Sequence, residues 1–173
     1  QVVKGGGSDL FLVTGSVPMM RVNGSLLPLA DGRLTAQDVE ANVLPLLDRE
    51  AADHYRNRGI VDASFRLPGA GRFRINLHRE RRNPAAAIRV LPSKVPTLAE
   101  LGLPPEIEHP TRLTAGLVLI GGATGAGKTT TMAALVDAIN RRDAKHIVTV
   151  EDPIEYEHTN AASLVEQIEI GVD

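Results

Sequence analysis

The residues with the clearest chemistry form a glycine-rich stretch that ends in a lysine and a threonine. Residues 122–129 read GATGAGKT and match the pattern G-x-x-x-x-G-K-[ST] of phosphate-binding loops. Glycines let such a loop wrap tightly, so that successive backbone N–H groups converge on phosphate oxygens. The ammonium group of Lys128 would reach the β- and γ-phosphates, and the hydroxyl of Thr129 would bind Mg²⁺. The pattern predicts a site for ATP and magnesium made of Gly122, Ala123, Thr124, Gly125, Ala126, Gly127, Lys128, Thr129 and Thr130.

The elements predicted on either side of the loop would hold it in place. The continuous apolar run 117–120 is typical of a strand buried on both faces of a parallel sheet. Residues 128–140 predict an amphipathic helix, whose first N–H groups would face the same anion. Residues 146–150 predict a second buried strand, so the order is that of a βαβ unit and the C-terminal half is predicted to be α/β. The apolar face of the helix would consist of Met132, Leu135, Val136 and Ile139.

Carboxylates follow the second predicted strand. Glu151 and Asp152 come directly after it, Pro153 stops it, and Glu155 lies two residues beyond the proline. In open α/β sheets ligands bind at the carboxyl ends of the strands, and nucleotide hydrolysis needs acidic groups for Mg²⁺ and for the attacking water. We interpret Glu151 as the residue that positions or activates water, with Asp152 and Glu155 as helpers. The alternative is an acidic turn that only ends the strand.

The first ninety or so residues have the pattern of a small α+β domain. Asn23-Gly24 lies between two apolar-rich runs and predicts a type I′ hairpin, since both central residues of that turn need positive φ. Thr35 and Asp38 resemble a helix-capping box, and Pro45 should kink or split the helix that follows. Strands are predicted at 9–14, 19–22, 25–29, 63–67, 72–77 and 85–91, and a second helix at 49–56, which would stop at Gly59.

A basic segment runs through the middle of the chain. Between residues 66 and 89 there are seven arginines and one acidic residue, Glu80. In residues 72–77 apolar and polar residues alternate strictly, so Arg74 would face away from the apolar side chains. The segment could meet phosphate groups, and the alternative is a solvated strand face.

The composition excludes several classes of function. The 173 residues include 19 basic and 21 acidic ones, and this near-balance excludes a wholly basic nucleic-acid binder and an acidic disordered tail. The absence of cysteine excludes disulfides and thiolate metal sites, and no apolar run approaches the roughly 20 residues of a membrane span. We therefore expect a soluble, intracellular protein.

Five prolines between residues 92 and 110 mark a boundary, which predicts domains at 1–95 and 111–173 joined by a linker at 96–110.

Together these residues resemble a known protein family. Residues 121–131 are similar to the Walker A segment, and residues 148–156 to the "Asp box", of the secretion ATPases that drive type II secretion, type IV pili and related systems. Within that family the N-terminal half is most similar to the retraction-type (PilT-like) motors of twitching motility. The similarity covers nearly the whole chain, and its further matching stretches are 8–10, 17–24, 71–76, 88–94 and 97–103.

The resemblance implies a PAS-like α+β N-terminal domain followed by an α/β RecA-like P-loop domain. The chains would form a homo-hexamer in the cytoplasm, peripheral to the inner membrane. ATP would lie between the two domains at the edge of a neighbouring subunit, where arginines of the N-terminal domain would reach its phosphates. The best matches for these arginines are Arg74 and Arg89. The implied activity is hydrolysis of MgATP to power pilus retraction, with an inner-membrane platform protein and the pilus machinery as partners and without nucleic acid.

This sequence departs from the family pattern in two respects. The family's Walker B strand and His box follow the Asp box, and the chain ends at Asp173 before either, so we expect a fragment that is inactive alone. The four-Cys module of assembly-type relatives is lacking, which favours the retraction type. Three alternatives stay open: a related secretion or pilus-assembly ATPase, a RecA-like DNA translocase that uses the segment 66–89, and a nucleotide-binding module without turnover. The direction of force and the ring symmetry are not predicted.

Overall fold

The computed structural model describes residues 2–171 and residue 173. They divide into two units, the first ending at Leu91 and the second beginning at Pro92. Residues 96–110, which the sequence presents as a linker, count with the second unit. Val95 also packs there, against Ala133 and Tyr156. The domain boundaries of the whole protein stay a prediction.

The first unit is built on one six-stranded antiparallel sheet in the order β3-β2-β1-β6-β5-β4. The predicted hairpin between β2 and β3 is confirmed, because Asn23 and Gly24 both have positive φ, at 48° and 84°. A type I′ turn requires this conformation, and its twist matches that of the flanking strands. The strands are β1 (Asp9–Val13), β2 (Met19–Val22), β3 (Ser25–Pro28), β4 (Ile60–Leu67), β5 (Gly71–Glu80) and β6 (Asn83–Val90).

Two helices, α1 (Ala36–Val43) and α2 (Arg49–Arg58), complete the first unit. The predicted capping box is confirmed: the Asp38 N–H donates to the Thr35 hydroxyl at 3.1 Å, and the Thr35 N–H donates to the Asp38 carboxylate at 2.8 Å. Pro45 splits the helical region as expected, since α1 stops before it and a short 3₁₀ turn follows. The left-handed Gly59 ends α2.

The core of the first unit lies between the helices and one face of the sheet. Val39, Tyr55 and Ile75, from α1, α2 and β5, are buried and belong to one cluster. The predicted alternation along β5 is confirmed, because Phe73 and Leu77 are buried with Ile75 while the residues between them are more exposed. The opposite face of β5 is therefore left for polar side chains, including Arg74.

The second unit contains fewer helices and strands than the first. It contains a 3₁₀ segment (Pro105–Arg112), the helix α3 (Lys128–Arg142) and a parallel pair of strands, β7 (His146–Glu151) and β8 (Leu164–Glu169). Among residues 2–171 and 173, no helix has both the length and the apolar character needed to cross a membrane.

The prediction of a buried strand at residues 117–120 is wrong for this structure. The run is not a strand, and Leu117 and Leu119 are more than four-fifths exposed. A parallel strand needs a neighbouring backbone, and within the described part of the chain β7 is hydrogen-bonded to β8 and to no other strand. For the same reason β7 is a strand but not a buried one, since Val148 and Val150 are exposed. The predicted βαβ unit is therefore incomplete.

The predicted apolar face of α3 is not the face that is buried. Met132 is exposed, and the other predicted members of that face are half-buried. They line a hollow of about 380 Å³ together with Val118 and Ile120, so the run 117–120 lies beside this face without covering it. The buried face of α3 is instead formed by Ala133, Ala134, Asp137 and Asn140.

Candidate functional site

The glycine-rich loop leads directly into the first turn of α3. Gly125 and Gly127 have left-handed backbones, with φ of 78° and 87°, and Gly127 is the residue that caps the helix. This conformation strains any residue with a Cβ atom, which explains why the loop carries glycine at both positions. The Ala126 N–H donates to the Ala123 carbonyl at 3.1 Å and closes the turn. Residues 121–126 are exposed, so the loop faces solvent.

The start of α3 is a set of N–H donors without a side-chain cap. Within the described residues no side chain accepts a hydrogen bond from this end of the helix, in contrast to the capped α1 and α2. The first N–H groups of a helix lack intrahelical acceptors, and the helix dipole places partial positive charge there. Together with the exposed loop, this arrangement provides donors and positive potential for an anion such as a phosphate.

The side chain of Lys128 lies across the loop. Its ammonium group donates to the Ala123 carbonyl at 2.9 Å. A Cβ atom built on Gly122 would lie 3.8 Å from the Cγ atom of Lys128, so the loop and the lysine side chain run close together. The cation is thereby held next to the loop, where a bound phosphate would meet it.

The two threonines after the lysine differ in their surroundings. Thr129 is half-buried beside the loop, and its hydroxyl has the hard oxygen that Mg²⁺ prefers. Thr130 instead places its hydroxyl 3.1 Å from the hydroxyl of Tyr156. Thr130 therefore joins the first turn of α3 to the segment after the predicted carboxylates, and its backbone N–H is the group that could meet a phosphate.

The three predicted carboxylates lie at the end of β7 and just beyond it. Glu151 is its last residue, Asp152 is exposed, and Glu155 is half-buried. The Oε1 atom of Glu151 accepts hydrogen bonds from the Thr149 hydroxyl at 2.7 Å and from the Gln167 amide at 3.0 Å. Neither bond uses Oε2, so that oxygen is the one that could bind water or magnesium.

Gln167 of β8 organises this end of the strand pair. Its amide group donates to the Tyr156 carbonyl at 2.8 Å as well as to Glu151, and its carbonyl accepts from the His158 N–H at 2.7 Å. Gln167 is paired with Thr149 in the parallel register, and neighbouring residues in register point to the same face. The same register places Glu169, which is buried, beside Glu151; its carboxylate accepts from the Ile154 N–H.

His158 is also part of this cluster. Burial lowers the pKa of its imidazole, although the nearby negative charges of Asp137 and Glu151 raise it in part. Its buried Nδ1 atom has no hydrogen-bond partner among the described residues. Sequence reasoning did not find Gln167, Glu169 or His158 as site residues, because their position depends on the pairing of β7 with β8.

Replacing Gln167 by leucine tests whether it positions Glu151. The leucine has a similar size but cannot donate to the Glu151 carboxylate, so this group would lose one of two bonds that orient it. We expect the rate of ATP hydrolysis by the whole protein to fall about tenfold, in the lower part of the range for loss of a group that orients a site residue. The affinity for ADP should stay unchanged, and lower ADP affinity in a variant that still folds would contradict a positioning role. Gln167→Met serves as a second variant that has a similar length, adds no charge and also removes the amide donor.

Arg74 and Arg89 are brought side by side in the first unit. They are directly opposite each other in the β5–β6 register, on the polar face of the sheet. Arg74 forms a bidentate ion pair with Asp62, at 2.7 and 2.8 Å, and the Nε of Arg89 donates to Asp9 at 2.9 Å. These four residues line an open cavity of about 240 Å³ together with Asn76 and Ala87.

Comparisons with known proteins place the chain in a family. The family described as "Type II/IV secretion system protein" matches residues 57–171, which is more than half of the chain. The chain is 38% identical over 170 residues to the protein named "Type IV pilus retractation ATPase PilT" of Pseudomonas aeruginosa, covering 98% of this chain and 49% of that protein. It is 34% identical over 172 residues to the "Type IV pilus ATPase PilU" of the same organism, covering 99% of this chain and 45% of that one.

Solved structures of ATPases from the same comparisons are also similar to this chain. The structure titled "Crystal Structure of the Pilus Retraction Motor PilT and Bound ADP" has a TM-score of 0.92 and 38% identity to this chain, over 99% of this chain and 50% of that one. The ATPase DotB of Legionella pneumophila has a TM-score of 0.72 and 25% identity, over 97% of this chain and 49% of its own. The chain therefore belongs to the type II/IV secretion ATPase family and is PilT-like. It spans about half the length of the curated relatives it matches.

Proposed function

We propose that this chain is the nucleotide-binding part of a motor that hydrolyses MgATP and powers type IV pilus retraction. The observation that carries the proposal is the exposed loop 122–127, which has two left-handed glycines, opens into the uncapped start of α3, and has the Lys128 ammonium against it. Such a structure offers convergent N–H donors and one cation to a triphosphate. The similarity to proteins named for pilus ATPase activity supports the choice of motor.

Each residue of the site has a proposed task. The backbone of residues 122–130 would bind the phosphates, Lys128 would neutralise their charge, and the Thr129 hydroxyl would contact Mg²⁺. Glu151, held by two hydrogen bonds at the end of β7, would orient or activate the attacking water, with Asp152 and Glu155 as helpers. The oxygen ligands suit magnesium, which is usually bound by one or two protein oxygens together with phosphates and water.

Arg74 and Arg89 are proposed to contact the terminal phosphate of a nucleotide. A guanidinium group can form two parallel hydrogen bonds to phosphate oxygens and stabilise the charge that spreads over the transferred group. Loss of that phosphate after hydrolysis would release the arginines. This would convert a chemical step into movement of the element that carries them.

The remaining parts of the proposal concern the whole protein. We infer that the first unit belongs to a PAS-like domain and that the second is the beginning of a RecA-like domain, completed by residues outside this chain. The motor would be a homo-hexamer in the cytoplasm at the inner membrane, and would act on the pilus machinery through a platform protein. A pilus-assembly or secretion motor is the nearest alternative, since the family that matches is described by type II and type IV secretion systems.

The test is a titration of the whole protein with fluorescently labelled ATP and magnesium, followed by an assay of phosphate release. We expect saturable binding and steady hydrolysis, and we expect deletion of the gene to abolish twitching motility. An absence of saturable binding would contradict the proposal. Strong stimulation of hydrolysis by DNA, with a steep dependence on salt, would instead favour a DNA translocase.

A further inference from the structure

Five charged residues form a row across the polar face of the sheet in the first unit. They lie on the adjacent strands β4, β5, β6, β1 and β2. Arg74 is opposite Arg89, Arg89 is opposite Asp9, and Asp9 is opposite Arg21, while Asp62 is one diagonal step from Arg74. We call this row the charge ladder; its members in spatial order are Asp62, Arg74, Arg89, Asp9 and Arg21.

The centre of the charge ladder has two like charges next to each other. Directly opposed side chains on antiparallel strands have Cβ atoms about 4.5–5.5 Å apart, and like charges at that spacing destabilise a sheet. Arg74 and Arg89 occupy such a pair and border a cavity open to solvent. An anion in this cavity would relieve the repulsion, so the pair is suited to a multivalent oxyanion such as a terminal phosphate.

The two carboxylates of the charge ladder are bound in different ways. The Asp9 side chain is only 10% exposed and is shared by two cations, Arg89 at 2.9 Å and Arg21 at 3.3 Å. Burial would raise the pKa of the Asp9 carboxyl, but the hydrogen bonds from Arg89 and Ser8 and the two guanidinium charges bring it below its usual value. Asp9 is thus a buried anion fixed from two sides.

Asp62, in contrast to Asp9, is exposed and pairs with a single arginine in the charge ladder. Its side chain is 41% exposed, and both of its oxygens engage the Nε–Nη2 edge of Arg74. That edge is the one a guanidinium group uses for bidentate binding of carboxylate or phosphate. Solvent and salt screen an exposed ion pair, and the bidentate geometry places this one at the upper end of the small net stability of such pairs. A phosphate that arrives at Arg74 therefore competes with Asp62 for the same donors at a small cost.

We propose that Asp62 is a competing counterion that occupies the phosphate-binding edge of Arg74 until the terminal phosphate of a nucleoside triphosphate displaces it, whereas Asp9 is a fixed anchor that orients Arg89. This inference rests on the proposed function, because it takes from there that Arg74 meets a nucleotide phosphate. The competition weakens binding of the triphosphate and frees Arg74 again when that phosphate leaves. The two aspartates thus have opposite effects on nucleotide affinity.

The experiment measures the dissociation constants of the whole protein for ADP and for a non-hydrolysable ATP analogue by calorimetry, in the Asp62→Asn variant. Asparagine has the size of aspartate but no charge, so Arg74 loses its competing anion. We expect the affinity for the ATP analogue to rise about two- to fivefold, the range that corresponds to one exposed ion pair. The affinity for ADP, which lacks the terminal phosphate, should not change.

Two matched variants separate this effect from changes in total charge and in folding. Asp53→Asn removes the carboxylate of another exposed Asp–Arg pair, that with Arg56 on α2, and should leave both affinities unchanged. Asp9→Asn removes the anchor, and should lower the affinity for the ATP analogue. An increase in affinity for the Asp53 variant as large as for the Asp62 variant would overturn the proposal, because net charge would then explain the effect.

A third variant distinguishes failure of this inference from failure of the proposed function. Arg74→Gln should weaken binding of the ATP analogue and leave ADP binding intact. If it does so while Asp62→Asn has no effect or also weakens binding, the competition is wrong and the role of the arginine stands. If Arg74→Gln changes neither affinity, Arg74 does not meet the nucleotide, and both the arginine assignment and this inference are wrong.

Discussion

Replacing Lys128 by alanine is expected to lower the rate of ATP hydrolysis by the whole protein by about a hundred- to a thousandfold, the range for loss of one electrostatic contact to the transition state. The Lys128 ammonium lies against the loop at Ala123, 2.9 Å from its carbonyl. No backbone N–H group can replace a full positive charge where negative charge accumulates during phosphoryl transfer. Binding of MgATP should weaken as well, because the same contact exists in the ground state.

The comparison for this variant is Lys145→Ala. Lys145 is an exposed lysine of the same unit that follows the end of α3, at the opposite end of the helix from the loop. It should retain full hydrolysis and full binding of labelled ATP. Lys128→Arg adds a second test, because arginine keeps the charge but has a larger, planar head group and should recover only part of the rate. Full activity of the alanine variant at position 128 would contradict the proposed site.

The parts of the fold that sequence reasoning predicted correctly depend on neighbours along the chain. The hairpin at Asn23-Gly24 needs two residues with positive φ, and the capping box needs Thr35 and Asp38 three positions apart. The split at Pro45 follows from a missing N–H group. Each of these signals lies within a few residues, so no knowledge of distant contacts was required.

The parts that sequence reasoning missed depend on which strands are paired. The run 117–120 has the composition of a buried strand, but composition cannot provide the neighbouring backbone that such a strand needs. Gln167 reaches Glu151 because β8 pairs with β7 in one particular register, and Asp62 reaches Arg74 across a diagonal of the β4–β5 pair. A shift of either register by one residue would turn these side chains to the other face.

Replacing Glu151 by glutamine is expected to have the second large effect on the rate of ATP hydrolysis. In Glu151→Gln, the amide oxygen can still accept from Thr149 and Gln167, as Oε1 does in the native residue. The amide NH₂ group then occupies the place of Oε2, where it can neither take a proton nor bind magnesium. Since a positioned general base contributes about a hundred- to ten-thousandfold to rate, we expect hydrolysis to fall by at least about a hundredfold. Binding of MgATP should remain close to native, as measured with labelled ATP.

Slow hydrolysis with near-native binding of MgATP would distinguish Glu151 from the other carboxylates at and near this strand pair. Glu166→Gln is the matched control, because Glu166 is an exposed residue of β8 on the opposite face of the strand pair from Thr149 and Gln167. One of its carboxylate oxygens lies 3.1 Å from the His146 imidazole. It should leave hydrolysis unchanged. If Glu151→Gln hydrolyses ATP normally while Asp152→Asn or Glu155→Gln does not, the water-orienting group is one of these neighbours, and the two bonds to Glu151 only stabilise the end of β7. We expect Gln167→Leu to reproduce this fall only in part, because Gln167 orients Glu151 and itself has no group that could activate water.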